Sequence, residues 1–408
     1  MKTTIKKVAV LGSGVMGSRI ACHFANIGVQ VLLLDIVPKE LNAIEQATGK
    51  ILEQASVRNR IVNEALQAAL KSNPSPIYSK KFAGRITTGN FDDDLAKISS
   101  CDWVVEVIVE RLDIKRSLFE KVDALRKPGT LITTNTSGIP IHLLIEGRSE
   151  DFKSHFCGTH FFNPPRYLKL LELIPTPETD PQIVRQMTDF LESATARRVV
   201  LAKDTPGFIA NRYGMWCMYH ATHCAEKLGL TIEQVDAITG AFMGRPKSGS
   251  FRLNDLVGLD IMQDIASNLI ARCPHDPHTD ALRPPRSLEF LAEKGWIGDK
   301  AGQGYYRREG KELMSLDLQG LGYRMRLEPD LPTISDNIKK PLAERLRVAL
   351  EVREREVAEE AWPLPLQRAR QRVTVQASEA SSVAADAGRR QRRTAAPHSL
   401  LYHLRQLH

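Results

Sequence analysis

Short apolar runs alternate with helix-favouring stretches over the first two hundred residues. The runs cover residues 7–11, 30–34, 103–107, 130–134 and 198–201. Strands that alternate with helices imply a parallel sheet with helices on both faces. Residues 38–72 interrupt this rhythm. They are polar and helix-favouring, and Asn73-Pro74-Ser75-Pro76 closes them, so the pattern predicts a helical insertion of two helices. Past Asp204-Thr205-Pro206-Gly207 the pattern turns helical, with a long apolar-rich stretch over 208–228. Thr231-Ile232-Glu233-Gln234 reads as a helix start. A Gly/Pro segment at 244–249 precedes a further helix predicted over 255–271.

The first run leads directly into Gly12-Ser13-Gly14-Val15-Met16-Gly17. Strand, GxGxxG and helix together form a dinucleotide-binding arrangement. Gly12 permits the tight turn, Gly14 lets a pyrophosphate approach the backbone, and Gly17 lets helix and strand pack closely. Val15 and Met16 open the helix whose N-terminus faces the phosphates. The second strand ends at Asp35, 18 residues after Gly17. An acid there accepts bonds from a ribose 2′-hydroxyl and repels a 2′-phosphate, which selects NAD over NADP. The fold predicted is α/β: a Rossmann-type doubly wound sheet with a helical insertion, followed by an all-α C-terminal domain. Its segments are 1–202, with the insertion at 38–72; 203–310, for substrate and dimerisation; 311–345, a linker or the start of a truncated second helical domain; and 346–408, a divergent tail.

Charge changes this picture little. The chain has 408 residues and a net charge of +8. From Gln367 onward eight arginines face only Glu379 and Asp386, so that stretch carries +6 of the total. A nearly neutral body excludes a nucleic-acid footprint there. No Lys follows Lys340, while Arg becomes dense. Such a tail reads as disordered. It is a reading-frame artefact, a natural divergent tail or a basic arm, and it is dispensable for catalysis. No apolar run reaches the ~18 residues of a membrane helix. Six scattered cysteines without a CxxC pair argue against a disulfide framework or a metal site and place the chain in a reducing cytoplasm.

Four further segments are specific: Asn135-Thr136-Ser137-Gly138-Ile139-Pro140, Gly158-Thr159-His160-Phe161-Phe162-Asn163-Pro164, Leu171-Glu172-Leu173-Ile174-Pro175 and Gly207-Phe208-Ile209-Ala210-Asn211-Arg212. With these the chain resembles the L-3-hydroxyacyl-CoA dehydrogenases of fatty-acid β-oxidation over residues 5–308. The likeness is closest to the dehydrogenase portion of bacterial multifunctional β-oxidation proteins. The resemblance implies an NAD-dependent oxidation of L-3-hydroxyacyl-CoA, with an acyl-CoA partner and a homodimer formed through the helical domain. Chemistry supports the same roles. Oxidising a secondary alcohol needs a base near neutral pKa, and His160 is of that type. A carboxylate from Glu172 on its second nitrogen fixes the tautomer.

By resemblance, Ser137 and Asn211 contact the reacting oxygen, and Glu110, Lys115, Asn163 and Lys300 contact NAD. Ser137 also reads as a helix N-cap, Asn211 as a polar helix residue, and Glu110 with Lys115 as a solvated pair. Ser56 and Lys71, with Arg58 and Arg60, are candidates for the CoA moiety; they equally form a solvated helix face. Two other functions share this plan: a β-hydroxyacid dehydrogenase acting on a free acid, and an NAD-binding protein inactive through C-terminal truncation. The His160–Glu172 pair and the HFFNP segment argue against the first, and the intact set of Ser137, His160, Glu172 and Asn211 against the second.

Overall fold

The computed structural model describes residues 5–351. The chain divides into two compact units. One runs up to Met215 and includes Gln263–Leu282; the other joins Trp216–Met262 to the residues from Arg283 onward.

Eight strands form the sheet of the first unit. They are β1 (Lys7–Leu11), β2 (Gln30–Asp35), β3 (Ile86–Asn90), β4 (Trp103–Glu106), β5 (Leu131–Thr134), β6 (Phe156–Phe161), β7 (Leu170–Pro175) and β8 (Arg198–Leu201). Their order is β3-β2-β1-β4-β5-β6-β7-β8. The sheet is parallel from β3 to β6, and β7 runs antiparallel to β6. The apolar runs fall in β1, β2, β4, β5 and β8. β3, with the sequence ITTGN, has no apolar run to mark it.

Side chains alternate across a strand, so each strand feeds two cores. Val8 and Val10 of β1 pack on one face with Phe24, Trp103 and Leu191. Ala9 and Leu11 pack on the other with Phe119, Ile132 and Phe156. The insertion holds three short helices rather than two: Ala43–Ala47, Ala55–Arg58 and Arg60–Lys71. Asn42 and Glu45 cap the first reciprocally.

The second unit is mainly helical. The helix predicted over 255–271 is two, Phe251–Val257 and Leu259–Arg272, because Gly258 sits at φ +97° between them. This unit also carries an antiparallel sheet of β9 (Tyr306–Glu309), β10 (Glu312–Leu316) and β11 (Tyr323–Met325). These strands are only three to five residues long and lack a clear apolar alternation, and they fall where the sequence reads as the end of the helical domain and the start of a linker. Helices Pro332–Asn337 and Leu342–Glu351 follow. The Arg-rich tail beyond residue 351 lies outside the described residues. Among the described residues no helix is long and apolar enough to cross a membrane, and no side-chain group could hold a metal ion.

Two acids organise the second unit. Asp255, 1% exposed, accepts bonds from the Tyr305 and Tyr306 amides, each at 2.8 Å. Asp236 accepts from the Phe251 amide at 2.6 Å and from the Tyr306 hydroxyl at 2.8 Å. Burial pushes Asp255 up to about 7 and Asp236 up to about 6, against the opposing pull of these donors. A carboxyl whose folded pKa exceeds its unfolded value, near 4, binds more protons when folded. Its stabilising contribution is therefore full below pH ~4 and is lost as pH rises through ~7. Asp255→Asn should flatten the fall in Tm between pH 5.5 and 8 relative to the parent chain. Parallel Tm profiles for the two proteins would remove Asp255 from the pH dependence.

Candidate active site

At the carboxyl end of β1 the chain turns at Gly12, φ +104°, where a Cβ would lie 2.5 Å from the Val107 carbonyl oxygen. A Cβ on Gly17 would meet the Gly12 carbonyl oxygen at 1.9 Å. The two glycines thus let β1, the segment after β4 and helix Val15–Asn26 meet at backbone contact. Gly14 is open, with nothing within 4 Å of a Cβ. The helix it precedes has no side-chain cap and no acid in its first turn. Its first amides therefore face unobstructed space, and Val15 is 65% exposed; Met16 follows it. Exposed N–H groups with a positive helix end favour a phosphate. Asp35, at the tip of β2, accepts from the Ser13 amide at 2.6 Å and hydroxyl at 2.5 Å, and from the Ile36 amide at 2.7 Å. The carboxylate is thus fixed beside the glycine turn. The turn, the open helix end and the placed acid fit a dinucleotide with an unphosphorylated ribose.

β6 and β7 build the acid–base pair. Antiparallel register sets His160 directly opposite Glu172, so both side chains leave the same face of the sheet. His160 Nδ1 lies 2.7 Å from Glu172 Oε2, and the two residues are 6% and 1% exposed. The other Glu172 oxygen, Oε1, accepts from the Ile209 amide at 3.0 Å and the Ala210 amide at 2.8 Å. Gly207 and Phe208 both adopt left-handed conformations, φ +72° and +43°, and the turn they form aims those amides at Glu172. Such a conformation costs a non-glycine residue roughly 1–2 kcal/mol. Phe208 is 1% exposed and its ring packs 5.6 Å from that of His160. The carboxylate holds the proton on Nδ1, which leaves Nε2 as the nitrogen that can accept one.

The loop after β5 lies alongside. Asn135 Oδ1 accepts from the Phe161 amide at 2.9 Å, which ties the loop bearing Ser137 to the residue after His160. The sequence pattern gave no role to Asn135. Ser137 does not cap a helix. Asp204 instead takes the Ile141 and His142 amides at 2.7 and 2.9 Å. Asn211 follows Ala210 at the start of helix Ala210–Leu228, next to the amide that bonds Glu172.

Glu110 reaches the same loop. Its Oε1 accepts from the Thr136 hydroxyl and from the Ser137 and Gly138 amides at 3.0 and 2.8 Å. Burial opposes its ionisation, yet the Lys115 ammonium, the Thr136 hydroxyl and these amides hold its pKa below the usual range. Lys115 is not a solvated partner: it is 1% exposed and bonds Glu106 at 2.6 Å, with Glu110 at 3.3 Å. Glu106, 0% exposed, lies inside the apolar run 103–107 of the sequence and was missed there. Asn163 accepts from Arg19 of the first helix at 2.6 Å. Lys300 belongs to the second unit, where its ammonium pairs with Asp260.

The CoA candidates are dispersed. Arg58 is engaged by Asp93 at 2.6 Å and Arg60 by Glu45 at 2.7 Å. Ser56 and Lys71 are exposed, but Ser56 precedes helix Arg60–Lys71 and Lys71 ends it.

Comparison with known proteins agrees with this geometry. Residues 7–205 match a family model described as "3-hydroxyacyl-CoA dehydrogenase, NAD binding domain". Residues 207–308 match "3-hydroxyacyl-CoA dehydrogenase, C-terminal domain". A probable 3-hydroxyacyl-CoA dehydrogenase of Bacillus subtilis is 48% identical over 334 residues, 82% of this chain and 42% of that protein. One of Deinococcus radiodurans is 44% identical over 76% of this chain and 84% of its own length. The crystal structure of 3-hydroxybutyryl-CoA dehydrogenase from Escherichia coli K12 superposes with a TM-score of 0.58 at 27% identity, covering 75% of this chain and 61% of that one. The chain thus spans less than half of the Bacillus relative and most of the Deinococcus one.

Removal of the Asp35 carboxylate tests the cofactor cradle. A hydrogen bond to a charged group is worth about 1.5–3 kcal/mol. Asp35→Ala should therefore weaken NAD binding by roughly 10- to 100-fold while NADP binding weakens less. Titration of both nucleotides by fluorescence checks this; an unchanged ratio of the two dissociation constants would separate Asp35 from ribose recognition.

Proposed function

Because the chain belongs to the 3-hydroxyacyl-CoA dehydrogenase family, we propose that it oxidises L-3-hydroxyacyl-CoA to 3-ketoacyl-CoA with His160 as general base. The observation that carries this reading is the buried His160–Glu172 pair at 2.7 Å, with both Glu172 oxygens engaged. NAD, bound at the glycine turn, supplies the acceptor for the hydride that leaves C3. The chain's own residues handle the proton. As the C3–O bond gains double-bond character, the hydroxyl proton passes to His160 Nε2. The imidazole becomes a cation, and Glu172 beside Nδ1 stabilises that charge. Because Glu172 is already fully ringed by donors, it need not reorient as the charge appears. Ser137 and Asn211 hold the reacting oxygen in this reading, supported by the bond from the Phe161 amide to Asn135 and by the Ala210 amide on Glu172.

The remaining parts of the reading concern place and assembly. Residues 1–202 hold the cofactor, and residues 203–310 take the acyl chain and pair two copies of the protein. Exposed Leu256 and Ile261, 55% and 44% accessible, support such pairing; sedimentation showing only monomer would exclude it. Six scattered cysteines without a CxxC pair support a reducing cytoplasm.

Purified protein with NAD should show a rise in nicotinamide absorbance with 3-hydroxybutyryl-CoA and none with free 3-hydroxybutyrate. Turnover of the free acid at equal efficiency would favour the free-acid reading instead. His160→Ala should lower kcat by about 10²–10⁴-fold with NAD binding retained; near-parental turnover removes His160 from the mechanism. Glu172→Gln should also lower kcat, by at least about 10²-fold. Its amide donates towards Nδ1 and so drives the proton to Nε2, where it blocks the base. A pH–rate profile that keeps the parental amplitude would contradict this.

A further inference from the structure

The proton transfer uses neither Glu106 nor Lys115, although they are among the most deeply buried charges in the first unit, at 0% and 1% exposure. Their contacts all point to the carboxyl end of the sheet. Glu106 Oε1 takes the Lys115 ammonium at 2.6 Å and the Ile108 amide at 2.7 Å. Glu106 Oε2 takes the Thr134 hydroxyl at 2.6 Å. The Val107–Ile108 peptide held in this way is the wall against which Gly12 turns, 2.5 Å from a Cβ there. Thr134 in turn accepts from the Thr136 amide at 3.2 Å. Lys115 continues to Glu110, whose oxygen gathers the Thr136 hydroxyl and the 137 and 138 amides. One acid thus reaches the cofactor turn through Ile108 and the Ser137 loop by two routes, Thr134 and Lys115–Glu110.

We infer that Glu106 is a positioning residue: its buried carboxylate fixes the wall of the glycine turn and the loop bearing Ser137 in one frame. A buried ion pair is a poor source of stability. Replacing both charges by groups of similar volume is often neutral, whereas removing one partner is costly. Stability alone therefore gives little reason for this pair, while the spacing of two separate site segments does. Misplacement of about 1 Å between reacting groups can cost roughly 10²-fold in rate, so a frame of this kind acts on kcat more than on substrate affinity.

The inference rests on the proposed role of Ser137 for its kinetic arm only; hydrogen exchange of the 135–141 segment reads the frame without any turnover. The test compares the full-length parent, Glu106→Gln, and Glu106→Gln combined with Lys115→Met. Glu106→Gln leaves the ammonium short of a counter-charge and should lower Tm. The double variant removes both charges and should recover Tm. In the double variant the 135–141 amides should still exchange faster than in the parent, because Glu110 has lost Lys115. Its kcat with 3-hydroxybutyryl-CoA should stay about 10- to 100-fold low, with the acyl-CoA KM within about twofold. A double variant that regains Tm together with parental exchange and parental kcat overturns the inference, since the two segments would then keep their places without the pair. A parent protein inactive on 3-hydroxyacyl-CoA would overturn the proposed reaction, while the exchange comparison would still decide the positioning role.

Discussion

A carboxylate taken out of water costs several kcal/mol unless donors surround it, and the first unit is arranged around acids that meet this condition. Glu172 takes an imidazole and two amides. Glu106 takes an ammonium, an amide and a hydroxyl. Asp35, only half-buried, takes two amides and a hydroxyl. Each set of donors comes from a different strand tip or helix start. Satisfying the acids therefore draws β1, β2, β4, β5 and helix Ala210–Leu228 to one edge of the sheet. The catalytic geometry and the burial problem have the same solution.

The glycine turn was legible because its logic is local. Gly12, Gly14, Gly17 and Asp35 follow from spacing within thirty residues of chain, and a Cβ at Gly12 or Gly17 would collide with backbone as that spacing requires. His160 and Glu172 were visible as residues, but their pairing depends on strand register, which motif spacing only suggests. Glu106 was invisible for the opposite reason: one acid inside the run Trp-Val-Val-Glu-Val passes as a single break in an apolar strand. Lys115 and Glu110 read as NAD contacts by resemblance and equally as a solvated pair, because sequence carries no measure of burial. The insertion misled in its detail. Its basic residues Arg58 and Arg60 attract attention as ligand contacts, yet both are neutralised by acids of the same unit. The β9–β11 sheet escaped because its strands, three to five residues long, are too short to show the alternation that marks a half-buried one.

The hairpin of β6 and β7 has a consequence for how this family can vary in length. His160 and Glu172 meet because five residue pairs of the two strands are in register. Residues 162–169 connect the strands without entering that ladder, so the connection can lengthen or shorten over evolutionary time while the pair survives. A single residue gained or lost inside either strand is a different event. It would turn one member of the pair to the opposite face of the sheet and exchange an apolar neighbour into its place. Such a chain could keep most of its backbone bonds and still have lost its chemistry. Among homologues, changes of length should therefore collect in the connection and spare the strands.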